Sequence, residues 1–156
     1  MKLTQYKLKI MHKFGKVSTD RLATCHKDLQ IIMLTAIALS DVDFGIAEGY
    51  RSLELQQKYF KEGKSRIDGI TRKGKHNYQP ALAVDFYPWV NGKMDYHLET
   101  VSHLAGFIMG IAALLLQQGK ISHELRWGAN WDMDGQIIQD ETFVDRPHLE
   151  LVNPRP

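Results

Sequence analysis

Two short stretches, ALAVDFY (81–87) and HLEL (148–151), alternate apolar and polar residues with a period of two, the signature of a half-buried strand. Leu82, Val84 and Phe86 share one face of the first, with Ala81, Ala83 and Asp85 on the other. In the second, Leu149 and Leu151 oppose His148 and Glu150. If the greasy faces pack on helices, Asp85 and His148 project from the opposite face, where the small Ala81 and Ala83 leave room for something to sit. This pairing restricts the chain to helices on one side of a sheet and chemistry on the other.

The remaining segments supply the helices. Leu22, Cys25, Leu29, Ile32, Met33 and Ala36 recur every three or four residues, which predicts an amphipathic helix from Thr19 to about Ser40, with Ser18 or Thr19 as N-cap. Phe44 and Ile46 mark a strand. GYRS follows as a turn carrying Arg51, then a second helix from about Leu53 to Lys61. Residues 63–80, rich in Gly and basic side chains and closed by Pro80, form a long loop of the kind that is usually functional or disordered. A third helix is expected from about Leu98 to Gln118. Its apolar run Ala105–Leu116 falls short of the roughly 20 residues that cross a bilayer and reads as a buried helix. ELRW (124–127) is a further strand. Helices that do not alternate strictly with strands favour an α+β fold with a small, mainly antiparallel sheet packed against helices.

Composition sets the outer bounds. With 156 residues, 44% of them hydrophobic, the chain suits one domain with a real core. Twenty basic against eighteen acidic side chains leave a net charge of +2, without the concentrated basic patch of a dedicated nucleic-acid binder. The single cysteine, Cys25, excludes an internal disulfide and a cysteine-based zinc cluster, and its helical spacing with Leu22 and Leu29 places it in the core. The first residues, MKLTQYKLKIMHKFGK, interleave lysines with apolar residues and build no continuous secretory h-region, so the chain is expected to stay in the cytoplasm where it is made.

Chemistry concentrates around the two strands. His76, at the end of the long loop, can swing over to join Asp85 and His148, and two imidazoles with one carboxylate make a three-ligand zinc site that keeps a fourth position for water. Water there becomes a nucleophile near neutral pH. A hydrolytic site also needs a carboxylate that is not a ligand to carry the proton, and Asp145, three residues before His148 in FVDRPHLEL, is placed for it. Pro147 stiffens the link between them. Arg51 can stabilise the oxyanion of an attacked carbonyl. His12, His26, His97, His103 and His123 form no comparable pattern and read as solvent or core histidines.

In order, GYRSLELQ, KH…ALAVDFYPW, RWGANWD and FVDRPHLEL resemble the zinc-dependent M15 peptidases, and most closely their phage L-alanyl-D-glutamate endolysin branch. The resemblance runs from about Phe14 to Val152. It implies a D-Ala-D-Ala peptidase/hedgehog-like fold with zinc on the open face of the sheet, His76, Asp85 and His148 as ligands, Asp145 as base and Arg51 on the substrate carbonyl. It also implies a peptidoglycan stem as partner; charge and the length of the apolar run give the expectation of no nucleic acid and no stable membrane insertion, and a monomer is expected. One departure stands out: Gly74 occupies the place of a family serine, and NYQPALAV lengthens the gap from histidine to aspartate, which weakens the carboxypeptidase reading more than the endopeptidase one.

NWDMDGQIIQDE, from Asn130 to Glu141, can be counted as an EF-hand-like loop. Asn130, Asp132 and Asp134 fall at the first, third and fifth places, Gly135 at the sixth and Glu141 at the twelfth. Its two readings are a regulatory calcium loop and an acidic surface turn. The resemblance implies a peptidoglycan hydrolase that cuts the L-alanyl-D-glutamate bond for host cell lysis. Such an enzyme would stay in the host cytoplasm until released to the wall, as a single domain spanning 1–156 with no separate wall-binding domain. The alternatives are a D-Ala-D-Ala carboxypeptidase of the same fold and a catalytically silent, zinc-stabilised wall-binding module.

Overall fold

The computed structural model describes residues 11–136 and 141–156. Five strands, β1 (Asp43–Glu48), β2 (Ala83–Val90), β3 (Lys93–Met94), β4 (Glu124–Trp127) and β5 (His148–Val152), form one sheet in the order β1-β2-β5-β4, with β3 hairpinned onto the end of β2. Every pairing between these strands is antiparallel. The helices are α1 (Lys16–Leu22), α2 (Lys27–Leu39), α3 (Leu53–Lys61) and α4 (Leu98–Gln117). This is the α+β architecture expected. Val84, Phe86, Leu149 and Leu151 of the sheet are fully buried with Leu29, Ile32 and Met33 of α2 and Leu104 and Ile108 of α4, in one continuous apolar core.

Four local expectations are corrected. The helix predicted from Thr19 to Ser40 is broken at residues 23–26, because that segment pairs with the entry to β2: Ala81 donates its backbone N–H to Thr24 at 3.0 Å and His26 donates to Ala81 at 2.8 Å. The same pairing fills the space that Ala81 and Ala83 were expected to leave open, and buries Cys25, whose thiol burial pushes up to about 11, an inert core group. At the N-terminal end, Gly15 takes the cap position of α1, while Ser18 is turned inward to accept from the Ile46 N–H at 3.0 Å. Finally, α4 is not buried all round. Val101, Leu104, Ala105, Ile108 and Ala112 line its inner face, and Gly106, Gly110, Ala113 and Leu114 face outward.

The break places a polar staple at the start of α2. His26 Nδ1 accepts from the Asp28 N–H at 3.1 Å, capping the helix. Asp28 in turn holds the turn leading into β4, accepting at Oδ2 from the Ser122 N–H (3.0 Å) and Oγ (3.1 Å) and from the His123 N–H (3.1 Å) and Nδ1 (2.7 Å). Burial opposes the charge on Asp28, but the hydrogen bonds from His123 and Ser122 outweigh it and hold the carboxyl below its ordinary value. A depressed carboxyl contributes stability above its unfolded pKa and loses it as pH falls through the folded value. Hydrogen bonds to charged groups contribute roughly 1.5–3 kcal/mol. Asp28→Asn should therefore lower unfolding free energy at pH 7 by about 2 kcal/mol, and denaturant melts should show the gap narrowing below about pH 3.9, the ordinary Asp pKa. Equal stabilities at pH 7 would count the staple as inconsequential.

Candidate functional site

Backbone register does most of the assembly. Asp85 on β2 and His148 on β5 are directly opposite one another, and on the next pair of strands Glu150 faces Arg126. With His148 and Glu150 two residues apart, Asp85, His148, Glu150 and Arg126 lie in one polar row on the face of the sheet away from α2 and α4. A bulge in β1 between Ile46 and Glu48 brings Glu48 beside Asp85 at the other end of that row.

His76 joins from the loop, and it is fixed rather than free to swing. It sits in a 3-10 turn, Lys75–Asn77, and is 4% exposed. Arg51 donates its N–H to the His76 carbonyl at 2.8 Å, and Asn77 Nδ2 returns a bond to the Arg51 carbonyl at 3.0 Å, so the two turns are clasped. Gly74, which the resemblance sets against a serine, donates its N–H to Asn77 Oδ1 at 3.0 Å. The long loop before it is organised by Gln56 of α3, buried, whose Nε2 donates to Ser65 Oγ and to the Ile67 carbonyl.

The three predicted ligands converge. His76 Nε2 lies 3.2 Å from Asp85 Oδ1 and 3.2 Å from His148 Nδ1, and the latter two atoms are 3.0 Å apart. Zinc bonded to nitrogen and oxygen at about 2.0–2.1 Å has tetrahedral ligand edges of about 3.3–3.4 Å. The triangle is within a few tenths of an ångström of that size. Each imidazole also has its other nitrogen engaged, His76 Nδ1 with the Gly49 carbonyl at 2.7 Å and His148 Nε2 with Glu150 Oε2 at 2.9 Å, as metal-ligating histidines do. The surroundings favour positive charge. Burial opposes it, but Asp85 and Glu150 together raise His148 to about 10, and Asp85 is held far below the carboxylate range by His76 and His148 against the pull of its own burial. These residues can hold a divalent cation between them.

Arg51 and Asp145 flank the triangle. Glu48 takes the Arg51 guanidinium through Nε (2.8 Å) and Nη2 (2.6 Å), and Gln56 Oε1 takes Nη1 at 3.0 Å, leaving two of its five N–H groups without a partner among the described residues. Its Nη2 stands 3.9 Å from Asp85 Oδ2. Asp145 opens the turn that leads into β5: its carbonyl accepts from the His148 N–H at 3.2 Å, and its N–H donates to Gly128 at 2.7 Å. Gly128 is required there, because a Cβ would come within 2.1 Å of the Asp145 carbonyl oxygen. Burial first, then the charge of Asp85, push the Asp145 carboxyl above its ordinary value, a direction suited to carrying a proton.

What sequence reasoning left without a role is Glu150, 5% exposed, hydrogen-bonded to both His148 and Arg126. The alternation of HLEL placed it beside His148, but its partner Arg126 becomes visible only with the register. His26 and His123, read as isolated, form a second His–Asp–His group with Asp28. There the four donors on Asp28 Oδ2 already satisfy the carboxylate, so the group serves as the staple described above.

A largely buried histidine–aspartate–histidine triangle on the sheet face away from α2 and α4, with a carboxyl held above its ordinary pKa beside it, fits a metallopeptidase. Comparison with known proteins agrees. Residues 10–152 match the family model described as phage L-alanyl-D-glutamate peptidase, and the chain belongs to that family. It is 34% identical over 144 residues to the L-alanyl-D-glutamate peptidase of Escherichia phage T5, covering 90% of this chain and 98% of that one. Its fold is similar to the crystal structure of the Serratia marcescens L-Ala D-Glu endopeptidase ChiX, with a TM-score of 0.66 at 22% identity, over 90% of this chain and 91% of ChiX.

Proposed function

We propose that the protein is a peptidoglycan hydrolase that cuts the L-alanyl-D-glutamate bond of the peptide stem, with zinc held by His76, Asp85 and His148 and with Asp145 as proton carrier. The observation that carries this reading is the ligand triangle, 3.0–3.2 Å on each edge, in a chain of the phage L-alanyl-D-glutamate peptidase family. Zinc held there would supply Lewis acidity toward a carbonyl oxygen and would lower the pKa of water. The side chains around it do the rest. Asp145 takes the proton of the attacking water and returns it to the leaving amine of D-glutamate. Arg51, clamped by Glu48 and Gln56 with its Nη2 3.9 Å from Asp85 Oδ2, is the cation that favours the oxyanion. Accumulation in the host cytoplasm before release to the wall belongs to the same reading.

Digestion of purified peptidoglycan, followed by mass spectrometry of the newly freed termini, tests it. New N-terminal D-glutamate is expected, whereas released D-alanine would assign the carboxypeptidase activity instead. Asp145→Ala should keep its zinc while turnover falls roughly 10²–10⁴-fold, the usual contribution of a general acid–base group. Loss of zinc in that variant would make Asp145 a ligand or its support, and the proton carrier would lie elsewhere.

Calcium is the second ion in the proposal, held by the loop from Asn130 to Glu141. Residues 137–140 of that loop lie outside the described residues. Two observations support calcium over a plain surface turn. Asn130 Oδ1 is buried with no hydrogen-bond partner among the described residues, and Gly135 has a φ of 87°, the left-handed turn that the sixth place of a calcium loop demands. Asp132 and Asp134 are exposed beside it, and Glu141 folds back to accept from the Trp131 N–H. Calcium should therefore raise activity and thermal stability together, and replacing Asp132 and Asp134 by Ala should abolish both responses. Calorimetry on zinc-saturated protein is the check; no binding heat up to millimolar calcium would return the loop to a surface turn.

A further inference from the structure

We infer that Glu150, steadied by Arg126, is a positioning residue that fixes the tautomer and ring orientation of His148, turning its Nδ1 into the metal triangle. The inference rests on the reading of His76, Asp85 and His148 as a zinc site and adds the device that keeps one ligand competent. Glu150 Oε2 lies 2.9 Å from His148 Nε2. An ionised carboxylate only accepts hydrogen bonds, so this contact places a proton on Nε2. A neutral imidazole protonated there has its bare lone pair on Nδ1, the atom 3.0 Å from Asp85 Oδ1 and 3.2 Å from His76 Nε2. The opposite tautomer would point an N–H at the other two ligands and close the triangle to a cation.

Glu150 is itself held. Arg126, directly opposite on β4, donates to Oε1 through Nε at 3.1 Å and through Nη2, leaving Oε2 for the imidazole. The remaining Arg126 nitrogen, Nη1, donates to the Trp131 carbonyl at 3.2 Å, and the guanidinium carbon lies 5.5 Å from the centre of the Trp131 ring. Trp131 packs on the His148 ring with centroids 5.5 Å apart. Arg126 thus supports His148 by two routes, through the carboxylate that bonds its ring and through the indole that lies against it. A buried carboxylate–arginine pair serving only to tie β4 to β5 would not need to end on the imidazole nitrogen remote from the other ligands.

The test uses the full chain, with zinc as the probe. Zinc dissociation constants are measured by competition with a chromophoric chelator for the wild type, Glu150→Gln, Glu150→Leu and Arg126→Met. Nitrogen-15 spectra of the imidazoles in the zinc-loaded proteins report the tautomer directly. Glu150→Leu, which removes the acceptor, should weaken zinc binding about 10–100-fold, as loss of such outer partners typically does. Glu150→Gln, isosteric and still able to accept, should lose less than Glu150→Leu. The wild-type spectrum should show His148 protonated at Nε2 and bound at Nδ1, and that signature should weaken with affinity across the series. Thermal melts confirm that each variant compared is folded; should Glu150→Leu not fold, Glu150→Gln and Arg126→Met carry the decision, each expected to bind zinc several-fold more weakly than wild type. Wild-type zinc affinity and unmoved His148 signals in every folded variant would overturn the inference while leaving the zinc site intact. Failure of the wild type to bind zinc at His148 would instead overturn the reading on which it rests.

Discussion

Side chains directly opposite each other on antiparallel strands have Cβ atoms about 4.5–5.5 Å apart. That separation, imposed by the backbone ladder between β2 and β5, sets Asp85 Oδ1 3.0 Å from His148 Nδ1. The rest of the site is arranged around this pair. His76 closes the triangle because its turn is clasped to the turn of Arg51, and Asp145 is held at the mouth because Gly128 lets two backbones approach closely. The site therefore inherits its rigidity from the sheet. A carboxylate and an imidazole in a buried setting would be costly if unpaired; here they are paired with each other and with Glu150, His76 and Arg51.

Much of this is legible in the sequence, and the reason is periodicity. Alternation in ALAVDFY and HLEL shows which residues share a face, and so puts Asp85 and His148 each on the polar side of its own strand. Alternation does not show which residues stand opposite each other. The pairing of Glu150 with Arg126 depends on strand register, which explains why the sequence places Glu150 beside His148 without giving it a role. The ordered motifs bring Arg51 and Asp145 to the same place by resemblance, and the structure adds how each is held.

The misreadings share a physical cause, the assumption that a local pattern continues until something obvious stops it. Leu22, Cys25 and Leu29 keep helical spacing across the break at residues 23–26, because Cys25 is buried in both arrangements and apolar spacing cannot tell them apart. The usable signal was His26 two residues before Asp28, a cap followed by an acid in the first turn. Likewise the run Ala105–Leu116 is apolar enough for full burial, but a helix on the outside of a two-layer fold has only one face to bury, and small residues tolerate the other. The expected space over Ala81 and Ala83 was lost to the Thr24–His26 segment, a long-range pairing that no local pattern encodes.

The central claim is that a zinc ion sits in the triangle of His76, Asp85 and His148, and metal analysis of the purified protein beside its His148→Ala variant tests it most directly. About one zinc per chain is expected in the wild type, with most of it lost in the variant, since removing one of three protein ligands leaves an incomplete catalytic-type site. Zinc retained in full by folded His148→Ala would contradict the account, because the metal would then be bound by a different set of residues.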